Sequence, residues 1–164
     1  MAAEGSASDP VSIETEFLFD YLVELKSHSR PSYVFGETPY GQRIVGGVEG
    51  GWVEGPRLKA TILEGMDYGI LRTDGYVAPD VRLVLRTDDG ELILMTYTAG
   101  RLGPWPKVME ARGGANIDPG EIDWILTYSF ETASEEYDWL NRTLAVGRGA
   151  ITEAGFRYRV DALR

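Results

Sequence analysis

The feature that most constrains the fold is the run Asp80-Val-Arg-Leu-Val-Leu-Arg-Thr-Asp-Asp-Gly-Glu-Leu-Ile-Leu-Met-Thr-Tyr-Thr98, where two apolar-rich stretches meet at Asp89-Gly90. An Asp-Gly pair tolerates the positive φ of a tight primed turn, and such turns match the twist of antiparallel strands, so the run predicts a β-hairpin. With Asp89 and Gly90 as the two turn residues, Arg82 faces Tyr97, Val84 faces Met95 and Leu85 faces Leu94. One face then carries Arg82, Val84, Arg86, Ile93, Met95 and Tyr97, and the other Val81, Leu83, Leu85, Leu92, Leu94 and Thr96. The first face is mixed and the second nearly all aliphatic.

The same grammar recurs along the chain. Strands are expected at Glu16–Leu25, Pro31–Gly36, Ile44–Val53 and Arg57–Leu63, the last with Leu58, Ala60 and Ile62 on its buried side. Tyr68–Arg72 turns back through Thr73-Asp-Gly75 to Tyr76-Val77. Ile122–Thr132 is a long strand with Trp124, Leu126, Tyr128 and Phe130 on one face, and a final pair runs over Arg142–Arg148 and Phe156–Val160. Pro104–Arg112 is the place for a short helix, stopped by Gly113-Gly114, and Ser134–Leu140 for a helical turn. Many strands with steady turn signals predict an all-β, single-domain antiparallel β-barrel, because closure hides the sheet edges. A disordered tail is expected over residues 1–13 and the barrel over 14–164.

Composition removes several kinds of chemistry. The chain of 164 residues has no cysteine, so a disulfide framework, a thiolate metal site and a cysteine nucleophile are unavailable. Its single histidine, His28, lies in a polar stretch, Lys26–Pro31, which reads as a surface turn. A net charge of −10 repels phosphate backbones and anionic bilayers, so neither nucleic acid nor membrane is an expected partner. With no basic-then-apolar leader and no apolar run of spanning length, the protein reads as cytoplasmic. The four glycines within Ile44–Val53 lack phosphate-loop spacing and read as bulges or close backbone approaches. The acids Asp88, Asp89 and Glu91 lack calcium-loop spacing, and no metal or other cofactor is expected.

The succession Gly36-Glu-Thr-Pro-Tyr-Gly-Gln-Arg43, Glu54-Gly-Pro-Arg-Leu58, Leu85-Arg-Thr-Asp-Asp-Gly90, Phe130-Glu-Thr132 and Tyr137-Asp-Trp-Leu-Asn-Arg142 resembles the domain of unknown function 3237 family over nearly the whole chain after the tail. The resemblance implies a small antiparallel β-barrel, often dimeric, with a biochemical role largely unassigned. Matched position by position, it emphasises Arg57, Asp74, Gly75, Asp80, Arg82, Thr87, Asp88, Asp89, Glu131, Trp139, Asn141 and Arg142. The chain departs from the pattern at Gly46-Gly47-Val48-Glu49, and its strands Leu94–Thr98 and Trp124–Thr127 are less basic than the family habit. A site built partly from those strands is expected to differ from the family's in substrate or reaction.

Two constellations are candidates for chemistry. On the mixed hairpin face Asp80, Arg82, Tyr97 and Arg101 combine a proton acceptor, a phenol and guanidinium groups able to hold an oxyanion, with Met95 beside them. The bland alternative is a solvated face on which Asp80 and Arg82 merely pair. Glu131 with Trp139, Asn141 and Arg142 is the second: a base, a stacking platform and a carbonyl anchor, or else a core tryptophan beside an Arg142–Glu131 ion pair. The favoured reading is a cofactor-independent isomerase, cyclase or lyase acting on a carbonyl-bearing, aromatic or polyketide-like small molecule inside the barrel. In it Asp80 or Glu131 moves the proton, Arg82 and Tyr97 hold the oxyanion, and Arg57, Met95, Arg101, Trp139 and Asn141 contact the ligand. A non-catalytic binding or carrier barrel and a homodimeric interaction module are the alternatives.

Overall fold

The computed structural model describes residues 11–25 and 32–164. Residues 1–10 of the expected tail, and His28 with its polar turn, lie outside the described residues. Among the described residues there are eleven strands: β1 (Thr15–Leu25), β2 (Tyr33–Thr38), β3 (Gly41–Glu54), β4 (Lys59–Asp67), β5 (Ile70–Leu71), β6 (Val77–Ala78), β7 (Val81–Thr87), β8 (Leu92–Gly103), β9 (Asp123–Glu131), β10 (Ala145–Thr152) and β11 (Gly155–Leu163). One α-helix, α1 (Trp105–Arg112), follows β8, and 3-10 turns lie at Pro119–Glu121 and Asp138–Arg142.

Eight of the strands close into a ring: β1 pairs with β3, then β4, β7, β8, β9, β10 and β11 follow in turn, and β11 pairs back with β1, every pairing antiparallel. The chain is therefore an all-β antiparallel barrel with no open edge in the ring. Just ahead of β1, Glu14 is tied to Arg164 by backbone hydrogen bonds of 3.1 and 2.9 Å, so the two ends of the described barrel meet. The short strands β2, β5 and β6 lean on the rim through β3 and β8. No helix among the described residues is long and apolar enough to cross a membrane.

The core is the barrel lumen. Leu58, Ala60 and Ile62 point inward from the β4 side, and Trp124, Leu126, Tyr128 and Phe130 from β9, as their alternation predicts. The hairpin is different from its sequence reading. Gly90 N–H donates to Thr87 O and Thr87 N–H to Glu91 O, both at 3.0 Å, so the loop holds three residues, Asp88-Asp89-Gly90, with Gly90 at φ +96°. A type I turn closed by a left-handed glycine bulge adds one residue to the two-residue turn expected from Asp-Gly. The register moves with it: Val81 faces Tyr97, Leu83 faces Met95 and Leu85 faces Ile93. Since a one-residue slip exchanges faces, Ile93, Met95 and Tyr97 join the aliphatic half of β7 inside the barrel, while Arg82, Val84 and Arg86 share the outer wall with Leu92, Leu94 and Thr96. The mixed face expected from the sequence does not exist.

Gly149 is one of the glycines that let the wall pack closely. A Cβ on Gly149 would stand 2.4 Å from the Trp124 ring, so the indole lies flat against bare β10 backbone. Gly149→Ala is therefore expected to destabilise the barrel by about 1–3 kcal/mol through overpacking, read as a lower denaturant midpoint at unchanged m-value.

Candidate functional site

The barrel has two unlike ends. The strands β4 and β9 each run nine residues, so about 25 Å separates the Lys59 and Glu131 end from the Asp67 and Asp123 end. At the second end lies a cavity of about 150 Å³, covered by α1. Trp105, Val108 and Arg112, spaced three and four residues apart, form the helix face above it. Below are Tyr97, Trp124, Phe156 and Tyr158, with Gly46 and Gly47 of β3 forming bare backbone wall.

Asp67 is the acid in this lining. A bulge between Ile62 and Glu64 resets the alternation of β4, so that Gly65 and Asp67 pair with the inward residues Leu83 and Val81. Asp67 Oδ1 accepts a hydrogen bond from the Asp80 backbone N–H at 3.2 Å. Burial raises its pKa above the ordinary carboxylate value, and the Asp80 charge adds to the rise; backbone hydrogen bonds from Asp80 and Gly69 and the Arg43 charge act against it without cancelling it. The net effect is a carboxyl that keeps its proton to higher pH than an ordinary aspartate.

Beneath Asp67 four phenols fill the lumen. Tyr21 stacks on Tyr158 at 4.4 Å, Tyr97 lies 5.3 Å from Tyr128 and 5.8 Å from Tyr158, and the Tyr21 and Tyr128 hydroxyls are 3.0 Å apart. Burial raises all four phenol pKa values, and for Tyr97 and Tyr158 the negative charge of Asp67 raises them further. The phenols therefore stay protonated and can act as hydrogen-bond donors, not as bases. Trp124 adds an unusual group: its Nε1–H is buried and has no acceptor among the described residues.

The residues singled out in the sequence scatter. Tyr97 lines the cavity, and Met95 is fully buried in the core on the same strand. Asp80 and Arg82 form an ion pair of 2.9 Å on the outside, and only the Asp80 backbone reaches Asp67. Arg101 pairs outside with Asp123. Glu131 lies on the outer face at the far end. There the Arg57 guanidinium stands 3.9 Å over the Trp139 ring, and Asn141 clamps Thr132, accepting from its N–H at 2.8 Å and donating to its carbonyl at 2.9 Å. The pairing considered for Arg142 is also different: it bridges Asp138 at 2.7 Å, one helical turn back, and not Glu131. Asp89 accepts a hydrogen bond from the Tyr137 hydroxyl at 3.2 Å, and no group of three or more metal-ligating side chains occurs among the described residues. Neither constellation is assembled around the cavity.

Sequence reasoning passed over Asp67, Arg112, Trp124 and Tyr158. Trp124 and Tyr158 sit on inward-alternating positions, and Arg112 is in helical step with Trp105, so those three carried a periodic signal. Asp67 carried none, because the bulge that turns it inward leaves no local mark in the sequence.

The model of the family described as protein of unknown function (DUF3237) matches residues 13–163. The chain belongs to that family. A β-barrel-like protein from Acinetobacter baumannii AYE, solved by crystallography, superposes with a TM-score of 0.80 at 32% identity, covering 96% of this chain and 100% of that one. The UPF0311 protein of Rhodopseudomonas palustris is 26% identical over 140 residues, 85% of this chain and 89% of its own. The hydroalkoxylation enzyme phnH of Penicillium herquei is 25% identical over 146 residues, 89% of this chain and 80% of its own.

The raised pKa of Asp67 has a consequence for stability. Below the ordinary carboxylate range the group is neutral in folded and unfolded chains alike; as pH rises through its folded pKa, a buried charge appears and stability falls relative to a chain without that group. Asp67→Asn is thus expected to raise Tm at pH 7–8, with the gain vanishing below about pH 4, and each kcal/mol reads as about 2–4 °C. A gain that grows on acidification would contradict the assignment.

Proposed function

We propose that the protein is a cofactor-independent enzyme of the isomerase, cyclase or lyase kind, moving a proton within an aromatic, carbonyl-bearing small molecule seated in the covered end of the barrel. The observation that carries this reading is the single carboxyl with a raised pKa facing an aromatic cavity floored by protonated phenols. The similarity to a hydroalkoxylation enzyme supports cyclisation as the member of this class to test first. The proton-moving role falls to Asp67, since Asp80 and Glu131 do not line the cavity.

In the proposed reaction a substrate hydroxyl adds across a carbon–carbon double bond conjugated to a carbonyl. The Asp67 carboxylate takes the hydroxyl proton as the carbon–oxygen bond forms. The alkene electron pair moves onto the carbonyl oxygen, whose growing charge the Tyr97 and Tyr158 phenols stabilise. Asp67 then returns the proton to the carbon beside the carbonyl. One O–H and one C=C bond give way to one C–O and one C–H bond, with no change in overall oxidation state. Elimination is the same path run backward, which is why lyase and cyclase readings share one site.

A suitable probe is 1-(2-hydroxyphenyl)but-2-en-1-one, which closes to 2-methylchroman-4-one and has a measurable background rate. Enantioselective acceleration by the wild type is expected, with Asp67→Asn lowering kcat/KM by about 10²–10⁴-fold while substrate affinity changes little. Undiminished turnover in Asp67→Asn would overturn the assignment of the base. Binding without any acceleration over background would favour the carrier reading.

A further inference from the structure

Arg112 is the basic residue in the lining of the cavity among the described residues, and it makes no ion pair among them. In a chain of net charge −10 most cations are already engaged with carboxylates: Lys59, Arg72, Arg82, Arg101, Lys107, Arg142, Arg157, Arg159 and Arg164 all have an acidic partner. Arg43, near Asp67, opposes the rise of that carboxyl and donates to the Tyr68 carbonyl. Arg112 instead stands with Cζ 5.6 Å over the ring of Phe156, itself part of the lining. Its place in the last turn of α1 suits the helix dipole, but the dipole does not dictate that it share a face with Trp105 and Val108.

The cavity also carries a size. A volume of about 150 Å³ suits one benzene-sized ring. Trp105, Trp124, Phe156 and Tyr158 offer that ring aromatic walls. Asp67, the acid of the lining, disfavours a second negative charge near itself, and the exposed Arg112 guanidinium is the place for one.

Resting on the cavity as the substrate site, we propose that its ligands are single-ring aromatic anions: the ring lies between Trp105 and Phe156, a carboxylate or other anionic oxygen meets Arg112 at the rim, and the uncharged reactive end points to Asp67. A guanidinium reads a carboxylate through two parallel hydrogen bonds, so the preference is for planar oxyanions over neutral amides of the same shape.

Benzoate and benzamide are near-isosteric and serve as probes, titrated into the full chain by ligand-observed NMR. Benzoate is expected to bind about tenfold or more tightly than benzamide. Arg112→Gln should erase that difference while leaving benzamide affinity unchanged, and Arg86→Gln, on the outer wall, should leave both unchanged. Asp67→Asn should tighten benzoate and not benzamide. Equal affinity for the two probes, or a preference that survives Arg112→Gln, overturns the anion selectivity while the proton-transfer reading stands on its own turnover test. If neither probe binds the wild type, the single-ring assignment is overturned too.

Discussion

The structure depends on the alternation of side chains around a closed sheet, and on the few bulges that interrupt it. In a barrel every residue of a strand is committed to the lumen or to solvent, and its neighbours across both ladders are committed with it. A single extra residue reverses the commitment for everything beyond. The bulge in β4 between Ile62 and Glu64 does this for Asp67, which would otherwise point out into water. A second irregularity, between Thr98 and Arg101, does the opposite in β8: Tyr97 is inside, and two residues after the break Arg101 is outside while Leu102 is inside. The same device thus delivers an acid to the lumen and withholds a base from it. An arginine at that level would have paired with Asp67 and held its pKa low.

The lumen below the cavity explains how a carboxyl there keeps a raised pKa. Four tyrosines place polar atoms in the core, and the Tyr21 and Tyr128 hydroxyls, 3.0 Å apart, satisfy each other. Neutral phenols solvate a nearby carboxylate far less than water does, and no cation lies among them. The aromatic edges and faces also fill space that aliphatic side chains would leave soft, giving the cavity a rigid floor. Stability and the proposed reactivity are tied here: the acid of the cavity lining is a carboxyl whose charge the fold accommodates poorly.

How much of this was legible in the sequence depends on where bulges and unusual turns fall. The inward face of β9 was legible because Trp124 to Phe130 runs without interruption, and α1 because proline begins it and a glycine pair ends it. The barrel itself follows from many short strands that need their edges covered. The hairpin from Asp80 to Thr98 was half legible. Its strands and turn position are where Asp89-Gly90 put them, but the sequence does not say whether the loop holds two residues or three, and that one residue decided which half of β8 met solvent. The site was least legible because its members come from many separated stretches, among them those around positions 46, 67, 97, 112, 124 and 156, and are joined only by ring closure. Asp80 and Arg82, adjacent on one side of a strand, drew attention because they could satisfy each other, and in the structure they do.

That last point distinguishes the two ends of the barrel. At the far end Tyr137 satisfies Asp89, Asn141 satisfies both backbone groups of Thr132, Asp138 holds Arg142, and Arg57 covers Trp139. Those side chains act as fasteners, and a ligand arriving there would have to break an existing contact for each one it made. At the covered end the balance is reversed: among the described residues Arg112 has no carboxylate partner, and Asp67 keeps a raised pKa despite its hydrogen bonds and the Arg43 charge. Unmet valence costs free energy in the empty protein, and a ligand that supplies the missing partners recovers it on binding. A polar cluster that is complete in itself is therefore evidence for scaffold, and the incomplete one supports the proposed site, even though the complete one is easier to see in the sequence.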